Sequence, residues 1–391
     1  MTSSPESFQV FVKPTGSRCN LRCGYCYYLD AAPCSRSAPG GTMSREVLEV
    51  YIREHIRACP DPEVFFSWHG GEPTLAGLHF FEEVVSLQRK YLSPERRAIN
   101  GIQTNGTLLH DDWCRFFARE GFVVGLSIDG PESLHNQFRR DGVGHPSFQQ
   151  VMAGLELLKK FSVPHELLCV VHAGNVRFPH EVYGFLKGLG TPWITFLPLV
   201  IPPLQRDQEG ALAGRSDGSP AVPPSVSPEA WGNFLCAVFD EWQGADIGRV
   251  KIQMIEEALR TAFGQEHSLC VFRPECGRVP VVEQNGDFYP CDHYTHPAHR
   301  VGNILQTSLW QLLEHPHQKA FGRAKKEGLT PACVSCEVLD MCNGACPKDR
   351  FVTGPDGTSG HQYLCGGYRK FFQHIRPFVR EVSEVFRTSA S

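Results

Sequence analysis

Cys19, Cys23 and Cys26 stand within eight residues of one another, in the run Cys19-Asn20-Leu21-Arg22-Cys23-Gly24-Tyr25-Cys26. The spacing is C-x3-C-x2-C, and an apolar run from Phe8 to Val12 precedes it. A fold that accepts this run must turn three thiols towards one point. Three thiolates can hold three irons of a [4Fe–4S] cluster and leave the fourth iron open to chelate a small molecule. A zinc site or a redox CxxC pair is the competing reading. Zinc sites usually complete four ligands, and no fourth Cys or His lies close at a matching spacing. Tyr25, directly before the third cysteine, offers a flat neighbour to a bound purine.

The 391 residues suffice for two or three domains with a sizeable core. A net charge of −4 gives no basic footprint for nucleic acid. No apolar run reaches the ~18–20 residues of a membrane span. The first residues, Met1-Thr2-Ser3-Ser4-Pro5-Glu6, carry no secretory signal, so a cytoplasmic location is expected. Sixteen cysteines in such a chain point to metal rather than disulfides. Cys34, Cys59, Cys114, Cys169 and Cys236 fit no motif and read as buried or bystander thiols.

From Phe8 to about Pro198, β-rich runs alternate with helical patterns. Strands are expected at Gln9–Lys13, Val64–His69, Ala98–Thr104, Val123–Asp129, Glu166–His172 and Trp193–Pro198. Helices are expected near Ser44–Arg57, Gly77–Tyr91, His110–Glu120, Ser147–Phe161 and Pro179–Leu189, with Ser44 and Ser147 as caps. Six alternating units predict a parallel α/β fold, as a closed sheet or a partial barrel.

The cysteine run, with His69-Gly70-Gly71-Glu72-Pro73 after the second strand, resembles the radical S-adenosylmethionine (SAM) family. The resemblance implies a partial (β/α)6 barrel with its chemistry at the C-terminal strand ends. It implies that the open iron binds the amino and carboxylate groups of SAM. The Gly70-Gly71-Glu72-Pro73 turn then contacts the SAM amino group, Ser127 contacts SAM, and Arg139 meets its carboxylate through a forked guanidinium. Val200 would lie beside the adenine. Gln103-Thr104-Asn105-Gly106 adds polar groups at the same pole, whereas Asp129 and Gly130 read as a strand-ending turn.

Residues 202–228 are rich in Pro, Gly, Ser and Ala and read as an inert surface loop rather than a flap over a substrate. Helical patterns follow at Pro228–Trp242 and Val250–Phe263. Eight further cysteines come next: Cys270, Cys276, Cys291, Cys333, Cys336, Cys342, Cys346 and Cys365. Eight thiolates make two sets of four, enough for two fully ligated [4Fe–4S] clusters; two zinc sites are the alternative. Asn285-Gly286-Asp287 predicts a hairpin that brings Cys276 and Cys291 together. The spacing of Cys333, Cys336, Cys342, Cys346 and Cys365 resembles the SPASM extension of radical SAM enzymes. That resemblance implies an interleaved arrangement, with Cys270, Cys276, Cys291 and Cys346 around one auxiliary cluster and Cys333, Cys336, Cys342 and Cys365 around the other. The expected domains are a barrel at 1–235, a helical bridge at 236–269, a SPASM domain at 270–366 and a C-terminal helix at 367–391. That last helix has one apolar face, expected to pack on the barrel or the SPASM domain rather than on a second copy.

Tyr289-Pro290-Cys291-Asp292 and the cysteine intervals resemble the anaerobic sulfatase-maturating enzymes. Asp292 stands where that family has its catalytic base, with His293 and Tyr294 as alternative bases. The resemblance implies oxidation of a cysteine or serine in an unfolded sulfatase peptide to Cα-formylglycine. It implies three [4Fe–4S] clusters, SAM, and a low-potential donor such as flavodoxin or ferredoxin. Two other readings compete. One is a maturase that crosslinks a ribosomal peptide natural product, and the other is a non-catalytic iron–sulfur electron carrier.

Overall fold

The computed structural model describes residues 8–29, 41–202 and 225–389. Most of the 202–228 loop, together with Cys34, lies outside the described residues. The strands are β1 Phe11–Val12, β2 Glu63–Trp68, β3 Arg97–Thr104, β4 Val123–Ser127, β5 His165–Val171 and β6 Trp193–Pro198. Helices Arg45–Ala58, Leu78–Tyr91, Asp111–Glu120, Phe148–Lys160 and Pro179–Gly188 connect them. Each β-to-β step is parallel, as connections through helices require. Alternate residues decide the faces. Val64, Phe66 and Trp68 are buried against the helical layer, while Phe65 between them is half exposed.

Ser44 caps its helix as expected, accepting from Val47 N. Ser147 does not. Its hydroxyl donates to Arg139 O at 2.8 Å and meets His135 Nε2 at 3.1 Å, so a tertiary partner has claimed the group that would cap.

The sheet extends at both ends beyond the six predicted strands. β7 Lys251–Ile252 adds in parallel to β6. At the other edge, the hairpin of β8 Val281–Val282 and β9 Asp287–Tyr289 joins β1, with Phe11 opposite Val281 and Val12 opposite Val282. β10 Gly302–Asn303 completes one ten-stranded sheet in the order β10-β9-β8-β1-β2-β3-β4-β5-β6-β7. The order is linear, so the barrel is partial and open. β11 Arg350–Val352 and β12 His361–Gln362 form a separate ribbon. Gly286, at φ +85°, makes the predicted hairpin turn. Because β8 lies parallel on β1, the hairpin turn stands at the C-terminal end of β1, where Lys13 N donates to Val282 O, while the residues before the hairpin run back along Gln9.

The C-terminal helix Cys365–Ser389 lays its apolar face on helix Pro228–Ala245. Phe378 packs on Phe239 and Trp242, and Tyr368 packs edge-on to Trp231. A Cβ on Gly367 would stand 2.3 Å from Pro228 O, so the crossing needs glycine there. No helix among the described residues is long and apolar enough to cross a membrane.

His55 shows how burial couples this core to pH. Its ring is 1% exposed, takes a 2.8 Å hydrogen bond with Tyr51, and is held down to about 3 by burial and by Arg96. The unfolded value is ~6.5, so the stabilisation is complete above that pH and is lost as pH falls towards 3. Going from pH 6.5 to 5 should cost about 2 kcal/mol from this group. Denaturant unfolding of His55→Gln should show a loss between pH 7 and 5 smaller than the parent's by that amount. Equal losses would refute the coupling.

Candidate active site

The C-terminal ends of β1 to β4 converge on the loop that carries the first cysteines. That loop is strapped down by backbone: Arg22 N donates to Arg140 O and Gly24 N to Phe138 O. Gly71 N donates to Gly16 O, and Glu72 N to Arg18 O. A Cβ on Gly71 would stand 2.2 Å from Arg18 O, and one on Gly70, at φ +116°, 2.8 Å from Gly16 O. The Gly-Gly pair is therefore demanded by the close approach of the cysteine loop itself. Glu72 is fully buried, and its carboxylate accepts from Thr74 N, Thr74 Oγ1, Thr104 Oγ1 and Asn105 N at 2.7–3.0 Å. It faces protein donors and fixes the turn between β2 and β3.

Cys19, Cys23 and Cys26 lie within electrostatic range of one another. Burial pushes the Cys19 and Cys23 thiols up to about 12. A thiol set of this kind, with Cys23 buried and Cys19 and Cys26 partly buried, becomes thiolate when cations are at hand, so the donor set fits an iron cluster. Beside it lies a second polar centre. Arg139 Nε donates to Asp129 Oδ2 at 2.9 Å, the Tyr25 hydroxyl donates to the same oxygen, and Val170 N donates to Oδ1 at 3.0 Å. Burial pushes the Asp129 carboxyl up, but Arg139, His135 and the Tyr25 hydroxyl together outweigh this and leave it below the ordinary carboxylate range. The guanidinium lies 5.6 Å from the Tyr25 ring. Asp129 is thus more than the turn residue expected: it orients both Tyr25 and Arg139. Ser127 is buried at the end of β4, and Val200 is buried just past β6.

The later cysteines fall into two groups. Cys270 is coupled electrostatically to Cys276, Cys291 and Cys346. Cys342 is coupled to Cys333, Cys336 and Cys365. Burial pushes Cys342 and Cys346 up to about 12. All fifteen described cysteines are free thiols, and among the described residues no three ligand-type side chains converge on a single-ion site. Two sets of four thiols, with Cys333 buried and the other seven partly buried, suit multi-iron clusters.

Asp292 joins the two halves of the site. Its Oδ1 is 2.6 Å from Lys13 Nζ, at the end of β1. Its Oδ2 accepts from the hydroxyls of Tyr27 and Tyr28, the latter at 2.6 Å. Those tyrosines directly follow Cys26, and Asp292 directly follows Cys291. Lys13 Nζ also donates to Glu283 Oε1 at 2.8 Å and lies 4.5 Å from the Tyr28 ring. His69 Nδ1 is 3.3 Å from the Tyr28 hydroxyl. Burial pushes the Asp292 carboxyl up, yet Lys13, His69 and His293 hold it well below the usual range. The neighbours differ: burial lowers His293 to about 4 and raises Tyr294. Sequence reasoning gave no role to Lys13, Tyr27, Tyr28, His69 or Glu283. The one local signal was their position, at strand ends or beside a cysteine motif.

Residues 14–178 match the model of the radical SAM superfamily, and 270–337 match SPASM, an iron–sulfur cluster-binding domain. A serine-type anaerobic sulfatase-maturating enzyme of Bacteroides thetaiotaomicron is 41% identical, over 95% of this chain and 90% of its own. A cysteine-type enzyme of Clostridium perfringens is 32% identical over 96% and 98%. A solved structure, native anSMEcpe with bound AdoMet and Kp18Cys peptide, superposes with a TM-score of 0.84 at 31% identity, over 97% of this chain and 99% of that one. With relatives matched almost end to end, the chain belongs to the anaerobic sulfatase-maturating enzymes, a radical SAM family carrying a SPASM domain.

Proposed function

We propose that this enzyme oxidises the Cβ of a cysteine or serine in an unfolded sulfatase segment to the aldehyde of Cα-formylglycine, with Asp292 as the proton acceptor. The observation that carries the reading is the Asp292 carboxylate, buried between the first cysteine loop and Cys291 and held ionised by Lys13. When bound, SAM and a cluster at Cys19, Cys23 and Cys26 supply the 5′-deoxyadenosyl radical, and clusters on the two later cysteine groups supply an electron sink. The chain's own residues do the rest. Forming the C=O or C=S bond requires loss of a hydrogen atom from Cβ, a proton from Oγ or Sγ, and one electron. Asp292 takes that proton, and Lys13 keeps the carboxylate ready for it. Tyr27 and Tyr28 hold the accepting oxygen in place. A thioaldehyde from cysteine is hydrolysed to the same product.

Glu72 holds the Gly70–Gly71 turn against the cysteine loop, and Arg139, steered by Asp129, would be the guanidinium that meets the SAM carboxylate. Arg139→Lys keeps the charge beside Asp129 but loses the fork. It should weaken SAM binding about tenfold, ~1.4 kcal/mol, in equilibrium binding, with the fold retained. Unchanged affinity would remove Arg139 from the site.

Anaerobic incubation with reductant, SAM and a Cys-x-Pro-x-Arg-type peptide, in cysteine and serine versions, tests the reaction. Mass spectrometry should find the aldehyde from at least one version. A crosslinked peptide with its chain intact would favour the natural-product maturase. Reduction of the protein in the presence of SAM with no 5′-deoxyadenosine formed would leave only electron carriage. Reading the family's two substrate types from the relatives, both peptides belong in the assay.

A further inference from the structure

Asn343, Gly344 and Ala345 all adopt positive φ, at 47°, 68° and 47°. Asparagine and glycine visit this region readily, but for alanine it is strained. These three residues are the whole chain between Cys342 and Cys346, which belong to different cysteine groups. The strain sits where the chain crosses from one group to the other.

Arg350 holds that crossover. Its Nε donates to Gly344 O at 3.0 Å, Nη1 to Lys325 O at 2.6 Å and Nη2 to Asn343 O at 3.5 Å. Contact is close enough that a Cβ on Gly344 would stand 2.6 Å from Nη2. From the other side, Asn343 Nδ2 donates to Phe272 O at 2.8 Å. Arg350 also pairs across the ribbon with Gln362, whose Nε2 donates to Cys346 O at 3.1 Å. The guanidinium acts electrostatically on Cys276 and Cys346 of one group and on Cys333 and Cys342 of the other. Lys325 is placed differently. It is 1% exposed, donates to Cys270 O and Val271 O at 2.8 Å each, and acts on Cys270, Cys276 and Cys346, all of one group.

We propose that Arg350 is a positioning residue shared by the two auxiliary centres: it clamps the crossover between them, and its fixed charge raises the reduction potential of both. Lys325 raises the potential of the Cys270 centre alone. A cation stabilises the reduced, more negative cluster over the oxidised one, and a partly buried site weakens solvent screening. The inference rests on the reading that each four-cysteine group holds an iron–sulfur cluster.

The test is a redox titration of the anaerobically reconstituted full chain, followed by electron paramagnetic resonance, with iron counted first. Arg350→Gln should lower both auxiliary midpoints, each by about tenfold in reduced fraction at fixed potential, ~59 mV for a one-electron couple. Arg350→Lys should keep both midpoints near the parent's. Lys325→Met should lower one midpoint only, and decides the matter if Arg350→Gln does not retain iron. Unmoved midpoints in a fully loaded Arg350→Gln, or equal shifts of both in Lys325→Met, would overturn the proposal alone. A parent chain with iron for a single cluster would overturn the reading beneath it as well.

Discussion

Asp292→Asn should cut formylglycine formation by ~10²–10⁴-fold, the usual contribution of a positioned proton acceptor, while SAM cleavage continues. The substitution is close to isosteric. The amide oxygen can face Lys13, and the amide nitrogen can donate to the Tyr27 and Tyr28 hydroxyls, which accept as well as donate. Lys13 keeps Glu283 as a partner, so the cation is not stranded. What is lost is the capacity to take a proton. The substrate radical can then form and cannot complete its oxidation. The separating measurement is the ratio of 5′-deoxyadenosine to formylglycine in anaerobic turnover. That ratio should rise steeply in the variant, and formylglycine at the parent rate would give the base role to another group. Of the two alternatives, burial drives Tyr294 further from ionisation, whereas His293, lowered to about 4, is a neutral imidazole able to accept a proton, so this ratio decides between it and Asp292.

The parts of this site that the sequence displays are those written in consecutive residues. The cysteine run, the Gly70-Gly71 turn and the Asn285-Gly286-Asp287 hairpin each state a local geometry, and the six barrel strands follow from local pattern. The parts it hides are made by distant residues meeting. β8 lies on β1 although some 270 residues separate Phe11 from Val281, and two-residue strands carry no periodicity to announce the pairing. That pairing is what brings Asp292 and Glu283 to Lys13. Ser147 misled because a capping residue type can be claimed by a tertiary partner, here the Arg139 carbonyl. Asp129 misled in the opposite way. An aspartate before Gly-Pro is ordinary turn chemistry, and only the arrival of Arg139 and Tyr25 makes it an anchor. Gly70-Gly71 was legible as a turn facing SAM only through the resemblance; that the cysteine loop's own backbone packs against it shows only in the fold.

Lys13→Met should destabilise the fold by about 3–5 kcal/mol, the cost of breaking a buried ion pair from one side. Lys13 is 1% exposed, and its ammonium stands between Asp292 Oδ1 at 2.6 Å and Glu283 Oε1 at 2.8 Å. Methionine fills the same volume, so packing against Tyr28 survives and the loss is one of charge. Two buried carboxylates would then face each other without a cation. Burial already pushes Glu283 up, with Lys13 opposing it, so Glu283 is the one that would protonate. Making that proton permanent should therefore relieve the damage: Lys13→Met with Glu283→Gln should recover a large part of the lost stability. Glu283→Gln alone should cost far less, because Lys13 retains Asp292. Denaturant unfolding of the four chains gives the coupling energy directly. A Lys13→Met chain as stable as its parent would show that the ammonium is not needed where it lies. Turnover then separates the cation's two duties. The double variant regains the fold but has no cation to hold Asp292 in line with the substrate, so its formylglycine yield should stay low while its stability returns.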